Sequence, residues 1–213
     1  MALAPGDVAL ARPVVRRLGR VSYEPTWETM RFFNQARGPA TPDEIWLLEH
    51  DPVFTLGLAG RAEHVLDPGD IPVVRCDRGG PVTYHGPGQA VAYVMLDLRR
   101  RNLGVKALVR QLEQAVIDVL RGYGLAGRRR DGMPGVYVGD EKIAAIGLRI
   151  ANGCSYHGVA LNADVDLAPF TRIDPCGYPG LATTRLADFG VTDDLEQVEG
   201  RLLECLERCL TQT

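Results

Sequence analysis

One cysteine lies where its thiol can do covalent chemistry. Cys176 is in the loop segment DPCGYPG, between Pro175 and Gly177, and such a loop is more accessible than a core. The Gly177 amide is a candidate donor to an oxyanion. Cys205 and Cys209, by contrast, are one helical turn apart in an apolar stripe, which is typical of core packing. Cys176 is therefore the candidate nucleophile, although a lone loop cysteine is more often unreactive.

A lysine stands at the start of an apolar strand. Lys142 is the second residue of EKIAAIGLRI, and in a regular strand it shares one face with Ala144, Ile146 and Leu148. Partial burial lowers the pKa of such an amine and makes it a usable proton acceptor. The other interpretation is a lysine at the end of a hairpin that extends into solvent.

A glycine-rich segment can bring its backbone close to a ligand. In RGGPVTYHGPGQ (78–89), four glycines and two prolines surround Thr83, Tyr84 and His85. Glycine serves both close ligand approach and strained turns, so a turn with a buried, hydrogen-bonded His85 is an equal interpretation. The segment matches neither the dinucleotide fingerprint nor the phosphate loop, so neither pattern indicates a nucleotide site.

The elements that must position these residues are predicted from apolar spacing and from proline and glycine boundaries. Helices are predicted at about 25–36, 105–121 and 195–210, with Asp193 and Glu196 as a candidate capping pair before the last. Strands are predicted at 45–49, 53–56, 91–98, 135–138, 142–150 and 156–162. Residues 139–141 form a hairpin turn, which excludes a purely alternating βαβ pattern. The fold class is therefore α/β (α+β), a mixed sheet flanked by helices.

Composition predicts one domain in the cytosol. With 213 residues, 46% of them apolar, the chain can bury one sizeable core, and residues 1–213 are interpreted as a single catalytic domain. No apolar run approaches the roughly 20 residues that cross a bilayer, so we expect no membrane association. The five cysteines include no C-x-x-C pair and no cluster at zinc spacing, which favours reduced thiols and no metal.

Charge argues against a nucleic acid partner. The formal net charge is -3, whereas phosphate binding depends on a net-basic face. Two arginine runs remain, at 99–101 and 128–130. Such a run is usually a solvated surface. The alternative is a docking patch for an acidic protein.

The segments in this order resemble the lipoyl(octanoyl) transferases of lipoate biosynthesis. The family pattern R-G-G-x-x-T-Y-H-G-P-G-Q matches residues 78–89, K-I-A-x-x-G matches 142–147, H-G-x-A-L-N matches 157–162 and P-C-G matches 175–177. The resemblance covers about residues 43–186. Four motifs in one order are far more specific than any one of them. One departure is the acidic Asp174 before P-C-G, which changes no matched residue.

The resemblance implies the fold of the biotin and lipoate protein ligase catalytic domain and a transfer reaction. An octanoyl group would pass from octanoyl-acyl carrier protein to a lysine of a lipoyl domain, in 2-oxoacid dehydrogenase E2 subunits and glycine cleavage H protein, without cofactor or metal. Cys176 takes the acyl-thioester position, and Lys142 that of the lysine that lowers the pKa of the thiol. The residues matching the acyl-binding segments are Arg78, Gly79, Gly80, Pro81, Val82, Thr83, Tyr84, His85, Ala145, Ile146, Gly147, Gly158, Val159 and Ala160.

Three other functions are to be weighed against this one. An ATP-dependent lipoate protein ligase is expected to share the fold, but the P-C-G motif and the Gly-Pro-Gly ending of the first motif count against it. A cysteine hydrolase would use His85 or His157 as its base. A module that only binds a lipoyl domain or an acyl chain would keep its activity after Cys176→Ala.

Overall fold

The computed structural model describes residues 11–174 and 181–211. These residues form three α-helices and ten strands. Seven strands make a large sheet with helices on both faces, and three make a small sheet beside it. In chain order the elements are β1 (Val14–Val21), α1 (Tyr23–Ala36), β2 (Glu44–His50), β3 (Val53–Leu56), β4 (Val73–Arg75), β5 (Val82–His85), β6 (Gln89–Met95), α2 (Val105–Gly122), β7 (Gly127–Arg128), β8 (Gly135–Val138), β9 (Glu141–Ala151), β10 (Cys154–Asn162) and α3 (Leu195–Thr211).

The large sheet is mixed, as predicted. Its strand order is β1-β2-β6-β10-β9-β8-β7, in which β1 and β2 are parallel and every other pair is antiparallel. The small sheet has the order β4-β3-β5, with β4 parallel and β5 antiparallel to β3. The predicted hairpin is formed by β8 and β9. The mixed sheet flanked by helices is therefore confirmed.

The two faces of the large sheet pack differently. Helices α2 and α3 cover one face and form the main core with alternate residues of the central strands. The apolar stripe predicted for α2, Leu108 to Val119, is the stripe that is buried there. On the other face, Met30 of α1 packs against Trp46 and Tyr93. Tyr23, at the start of α1, packs against the small sheet, which therefore lies on the same side as α1.

Most predicted elements are found, and those that were missed lie at edges. The strand β1 is an edge strand that pairs only with β2, so most of its side chains are exposed and its sequence VVRRLGRV has little apolar alternation. The strands β4, β5 and β7 have four residues or fewer, too few for a periodic pattern. In the ranges 11–174 and 181–211, no helix has both the length and the apolar character to cross a membrane.

The predicted capping pair of α3 is wrong by one residue. Gln197 donates its backbone N–H to Asp194 Oδ1 at 2.9 Å, and Asp194 donates its N–H to Gln197 Oε1 at 2.9 Å. This reciprocal pair is the capping box. Asp193 instead accepts hydrogen bonds from Tyr123 and from Arg201, each at 2.9 Å, because the helix begins one residue later than a cap at 193 requires.

One of the two arginine runs contributes to a buried ion cluster. Asp43, which is 5% exposed, accepts hydrogen bonds from Arg37, Arg100 and Arg101 at 2.5–2.6 Å. The Arg101 side chain is only 2% exposed and also donates to the Leu210 carbonyl. Burial raises the pKa of Asp43, but the hydrogen bonds from Asp97 and the arginines outweigh it and hold that pKa below its usual value. Two of the three arginines of the run at 99–101 are therefore engaged with Asp43, and Arg101 also ties this cluster to α3.

Replacing Asp43 with alanine is expected to destabilise the chain by about 3–5 kcal/mol, because Arg37 and Arg101 would keep buried charges without a counter-ion. Chemical denaturation gives this value. The matched control is Asp140→Ala, since Asp140 also contacts two arginines but its side chain is 90% exposed and such pairs contribute little. Equal stability losses for the two variants would contradict the assignment.

Candidate active site

A cavity of about 460 Å³ lies between the large sheet and segment 78–85, a volume typical of small-molecule sites. The predicted acyl-binding residues line it with one exception. The Tyr84 ring instead packs between Phe54 and Phe170, with ring centroids 5.5 and 5.4 Å away. Tyr84 therefore supports the wall from behind.

The floor of the cavity is made of small residues on β9 and β10. Ala145 pairs with Ala160 and Gly147 pairs with Gly158, so the four residues form two cross-strand rows on the face opposite the main core. Val91 and Tyr93 continue these rows on β6. Because the four residues carry at most one side-chain carbon each, they leave an apolar lane along the two strands.

The two glycines of the floor are required by close approaches. A Cβ at Gly158 would clash with the carbonyl oxygen of Ala92 on the neighbouring strand. A Cβ at Gly147 would lie 3.1 Å from Arg78 Cδ and 3.2 Å from the Gly79 carbonyl oxygen. The second glycine therefore lets segment 78–85 pack directly over β9.

Arg78 holds that segment in place from inside. It is 7% exposed and donates to Thr55 Oγ1 at 2.8 Å, to the Thr55 carbonyl at 2.6 Å and to the Gly79 carbonyl at 3.0 Å. Gly79 in turn donates its N–H to the Leu148 carbonyl at 2.8 Å. The guanidinium thus fixes the loop to the small sheet, and the Gly79 amide fixes it to the large sheet.

A bulge places Lys142 on the cavity side of β9. Val136 pairs with Ala144 and Tyr137 with Lys142, so Ile143 is an extra residue, and both Ile143 and Ala144 belong to the main core. The expectation that Lys142 shares a face with Ala144, Ile146 and Leu148 is therefore wrong, because it assumed a regular strand. Lys142 lines the cavity instead, with Nζ 5.7 Å from the centroid of the Tyr137 ring.

Cys176 lies outside the described residues, as does the whole of 175–180. The chain on either side of that gap is described. Ile173 and Leu181 both line the cavity. After the gap, Lys142 donates its N–H to the Ala182 carbonyl at 2.8 Å and accepts one from Thr184 at 3.0 Å. The two described ends of the chain at this gap therefore both lie at the cavity, and the end that follows residue 180 pairs with Lys142.

A buried hydrogen-bond chain assigns the protons of His85. The Thr184 carbonyl can only accept, so Asn162 donates to it, Gln89 donates to Asn162 Oδ1 at 2.9 Å, and Gln89 Oε1 accepts from His85 Nδ1–H at 2.7 Å. Burial holds the pKa of His85 well below its ordinary value. His85 is therefore neutral, with a proton on Nδ1.

Two more histidines stand at the other side of the cavity. His50 donates from Nδ1 to the Val21 carbonyl at 2.8 Å and accepts from the Tyr93 hydroxyl at 2.6 Å. Burial lowers its pKa to about 4. His157 donates from Nε2 to Asp77 Oδ1 at 3.2 Å, and burial lowers the pKa of His157 even though Asp77 opposes this.

Comparison with known proteins decides the family. A model of the lipoyl protein ligase A/B catalytic domain matches residues 22–207. The chain belongs to this family. An octanoyltransferase of Aromatoleum aromaticum is 59% identical over 207 residues, which cover 97% of this chain and 90% of that protein, and other octanoyltransferases are 54–63% identical. The lipoyl(octanoyl) transferase resemblance is therefore confirmed, and the chain is an octanoyltransferase-type enzyme.

Two solved ligase structures share the fold. A lipoate-protein ligase A bound with ATP superposes with a TM-score of 0.77 at 17% identity, over 94% of this chain and 86% of that one. A biotin protein ligase from Aquifex aeolicus in complex with biotin and ATP superposes with a TM-score of 0.59 at 12% identity, over 92% and 70%. These likenesses show the architecture alone.

Sequence reasoning considered His157 only as a hydrolase base and gave no role to the other polar residues around the lane. Gln89 and Asn162 are within matched motifs, but only the sheet pairing brings them together. Asp77 and Tyr23 lie outside the motifs and gave no signal. Spacing cannot reveal the contacts of Gln89 with Asn162 and of His157 with Asp77, because these join residues 73 and 80 positions apart.

Adding one methyl group to the floor tests the close approach at Gly158. Gly158→Ala is expected to lower the free energy of unfolding by about 1–3 kcal/mol or more, because the Ala92 carbonyl cannot move without breaking the sheet. Gly200→Ala, in α3 with no atom near its Cβ, is the control and should stabilise the chain by about 0.4–1 kcal/mol. Chemical denaturation of both variants checks the opposite signs.

Proposed function

We propose that the chain transfers an octanoyl group from octanoyl-acyl carrier protein to a lysine of a lipoyl domain through a thioester on Cys176, with Lys142 as the activating amine. The acceptors would be lipoyl domains of 2-oxoacid dehydrogenase E2 subunits and the glycine cleavage H protein. The observation that carries the proposal is the backbone pairing of Lys142 with the chain that follows residue 180. The four described cysteines are free, which suits the cytosol.

The anchored flanks support a Cys176 within reach of Lys142. Asp174 donates its N–H to the His64 carbonyl, and Thr183 forms a bridge with Lys142. Cys176 is two residues after Asp174 and seven before Thr183, so at about 3.3–3.6 Å per residue the chain is long enough to bring the thiol to Lys142, which is the placement that the proposal requires.

The first half-reaction is a thioester exchange. A free thiol has a pKa of about 8.5, so only a small fraction is thiolate at neutral pH. A lysine ammonium beside the sulfur stabilises the thiolate. The thiolate attacks the carbonyl carbon of the donor thioester and the bond to the carrier sulfur breaks. The leaving thiolate is protonated by the Lys142 ammonium, which becomes neutral, or by water where that proton cannot be released.

The second half-reaction forms an amide. The ε-amine of the acceptor lysine attacks the thioester carbonyl, the bond to Cys176 breaks, and the nitrogen loses a proton. Lys142 in its neutral form is the acceptor for that proton, so it acts as cation in one half-reaction and as base in the other. Because a thioester is converted to a more stable amide, this step makes the overall reaction favourable without ATP.

The acyl chain would lie in the lane formed by Ala145, Gly147, Gly158 and Ala160, under segment 78–85. Each buried CH2 contributes about 0.8 kcal/mol, so several together select a medium chain. Arg78 makes its hydrogen bonds to backbone and to Thr55. Its proposed part in acyl binding is therefore to hold segment 78–85 over the lane.

The rival functions receive less support. Similarity to ATP-bound ligases is at 17% identity and concerns the fold, whereas the relatives at 54–63% identity are octanoyltransferases. A hydrolase base at His157 is disfavoured because His157 pairs with Leu148, six residues along β9 from Lys142. A pure binding module is opposed by the enzyme names of those relatives.

An intact-mass experiment tests the covalent intermediate. Mixing the enzyme with octanoyl-carrier protein without ATP should add one octanoyl group at Cys176, and a lipoyl domain added next should remove it. Cys176→Ala should give neither product, while Cys154→Ala, a buried cysteine of β10, should behave as wild type. Rapid transfer by Cys176→Ala would refute the proposal.

Two substitutions separate the roles of Lys142. Lys142→Arg keeps a cation that cannot release its proton near neutral pH, so the octanoyl adduct should form while its transfer to the lipoyl domain slows by about 10²–10⁴. Lys142→Ala should slow both steps. Single-turnover mass measurements resolve the two rates, and equal behaviour of the two variants would contradict the dual role.

A basic surface at the mouth fits an acidic carrier protein. The cavity opens beside Val105 and Pro134, which line it and are exposed. Lys106 and Arg110 are exposed residues of α2 that follow Val105 and Val109 of the cavity lining. Arg130, two residues before Gly132 of the lining, is paired with Asp140 and adds little net charge. On a chain of net charge -3, this cationic patch is the surface we propose for the carrier.

Reversing two of these charges, Lys106→Glu with Arg110→Glu, should raise KM for octanoyl-carrier protein at least tenfold and weaken its salt dependence. Activity with an uncharged S-octanoyl-pantetheine donor should not change. Arg20→Glu with Arg121→Glu, distant exposed positions, gives a control of equal net charge. An unchanged carrier KM would exclude this surface.

A further inference from the structure

A buried polar wall closes the lane at the end away from Lys142. The rings of Tyr93 and His157 meet edge to face with centroids 5.9 Å apart. Both residues line the cavity, and they are 3% and 2% exposed. Tyr93 is in the same cross-strand row as Gly158 and Gly147, and His157 directly precedes Gly158. The wall formed by Tyr93 and His157 therefore stands at the row that contains Gly147 and Gly158.

His157 reaches the lane through an unusual backbone conformation. Its φ is +61° in the middle of β10, a left-handed value that residues with a side chain rarely adopt. In a regular strand a neighbour of Gly158 would face the main core, as Val159 does. The left-handed turn instead lets His157 line the cavity, and such strained residues cluster where function needs them.

The wall is held rigid from behind. Asp77 accepts from His157 Nε2 at 3.2 Å, from Trp27 Nε1 at 2.9 Å and from the Tyr156 hydroxyl. The Tyr93 hydroxyl is likewise committed, to His50 at 2.6 Å. Moving either ring would leave buried polar groups without partners, which is costly. The two rings therefore cannot move easily to accommodate a longer acyl chain.

We propose that His157 and Tyr93 set the upper limit of acyl-chain length, an inference that rests on the proposed function. Ala145 and Gly147 are three and five residues from Lys142 on β9, about 10 and 17 Å in an unbulged strand and less across the bulge. An extended chain advances about 1.2 Å per bond, so eight carbons counted from the thioester sulfur cover about 10 Å and twelve about 14 Å. Eight carbons end between the two rows, whereas twelve press against the wall.

The test replaces His157 with glycine, which suits a positive φ and leaves Asp77 its bonds from Trp27 and Tyr156. Rates of transfer to a lipoyl domain are measured with C6, C8, C10 and C12 acyl-carrier proteins. The ratio of kcat/KM for C12 to that for C8 should rise at least tenfold. If that variant does not fold, His157→Asn, which also tolerates a left-handed backbone, should raise the ratio in the same direction.

The control is Asn152→Gly, which relieves a similar φ of +53° at an exposed position outside the cavity lining and should leave the C12 to C8 ratio unchanged. A folded His157→Gly enzyme with the wild-type ratio overturns the inference. A merely structural role would lower stability without changing that ratio. Failure of the wild-type enzyme to transfer any chain would instead refute the proposed function, so the two failures are distinct.

Discussion

The site depends on one backbone pairing, in which Lys142 bonds to Ala182 and Thr184. These two hydrogen bonds join the first residues of β9 to the chain that follows residue 180. Asp174, the last described residue before the gap, is anchored to His64, so both described ends of the chain at the gap are held in place. The proposed mechanism needs a nucleophile and its activating group within hydrogen-bond reach, and fixed ends of this kind are what favours such proximity in the proposal.

The same strand carries the second constraint, which is the need for very small side chains. The pairing of Gly147 with Gly158 lets a loop pack on one side and leaves an apolar lane between. The bulge at Ile143 turns Lys142 from the core to this lane. A single strand irregularity thus puts Lys142 on a different face of β9 from the core residue Ile143 that follows it.

Several buried polar groups beside the apolar lane are held by specific partners. His85 is fixed by Gln89, and Asp77 is fixed by three donors. Burial keeps the histidines neutral, because an unpaired imidazolium is costly away from water. The shape of the lane is therefore defined by hydrogen bonds that would have to break before the cavity could widen.

The sequence by itself determined the family, the mixed sheet and the central elements, because four ordered motifs and the apolar stripe of α2 are local patterns. It also directed attention to segments 78–85, 145–147 and 158–160, nearly all of which line one cavity. Only the tertiary structure decided the face of Lys142, the burial of Arg101 and the wall at His157. Those features depend on a bulge, on an ion pair across 58 residues and on a contact across 80, and no local period in a sequence encodes contacts between such distant residues.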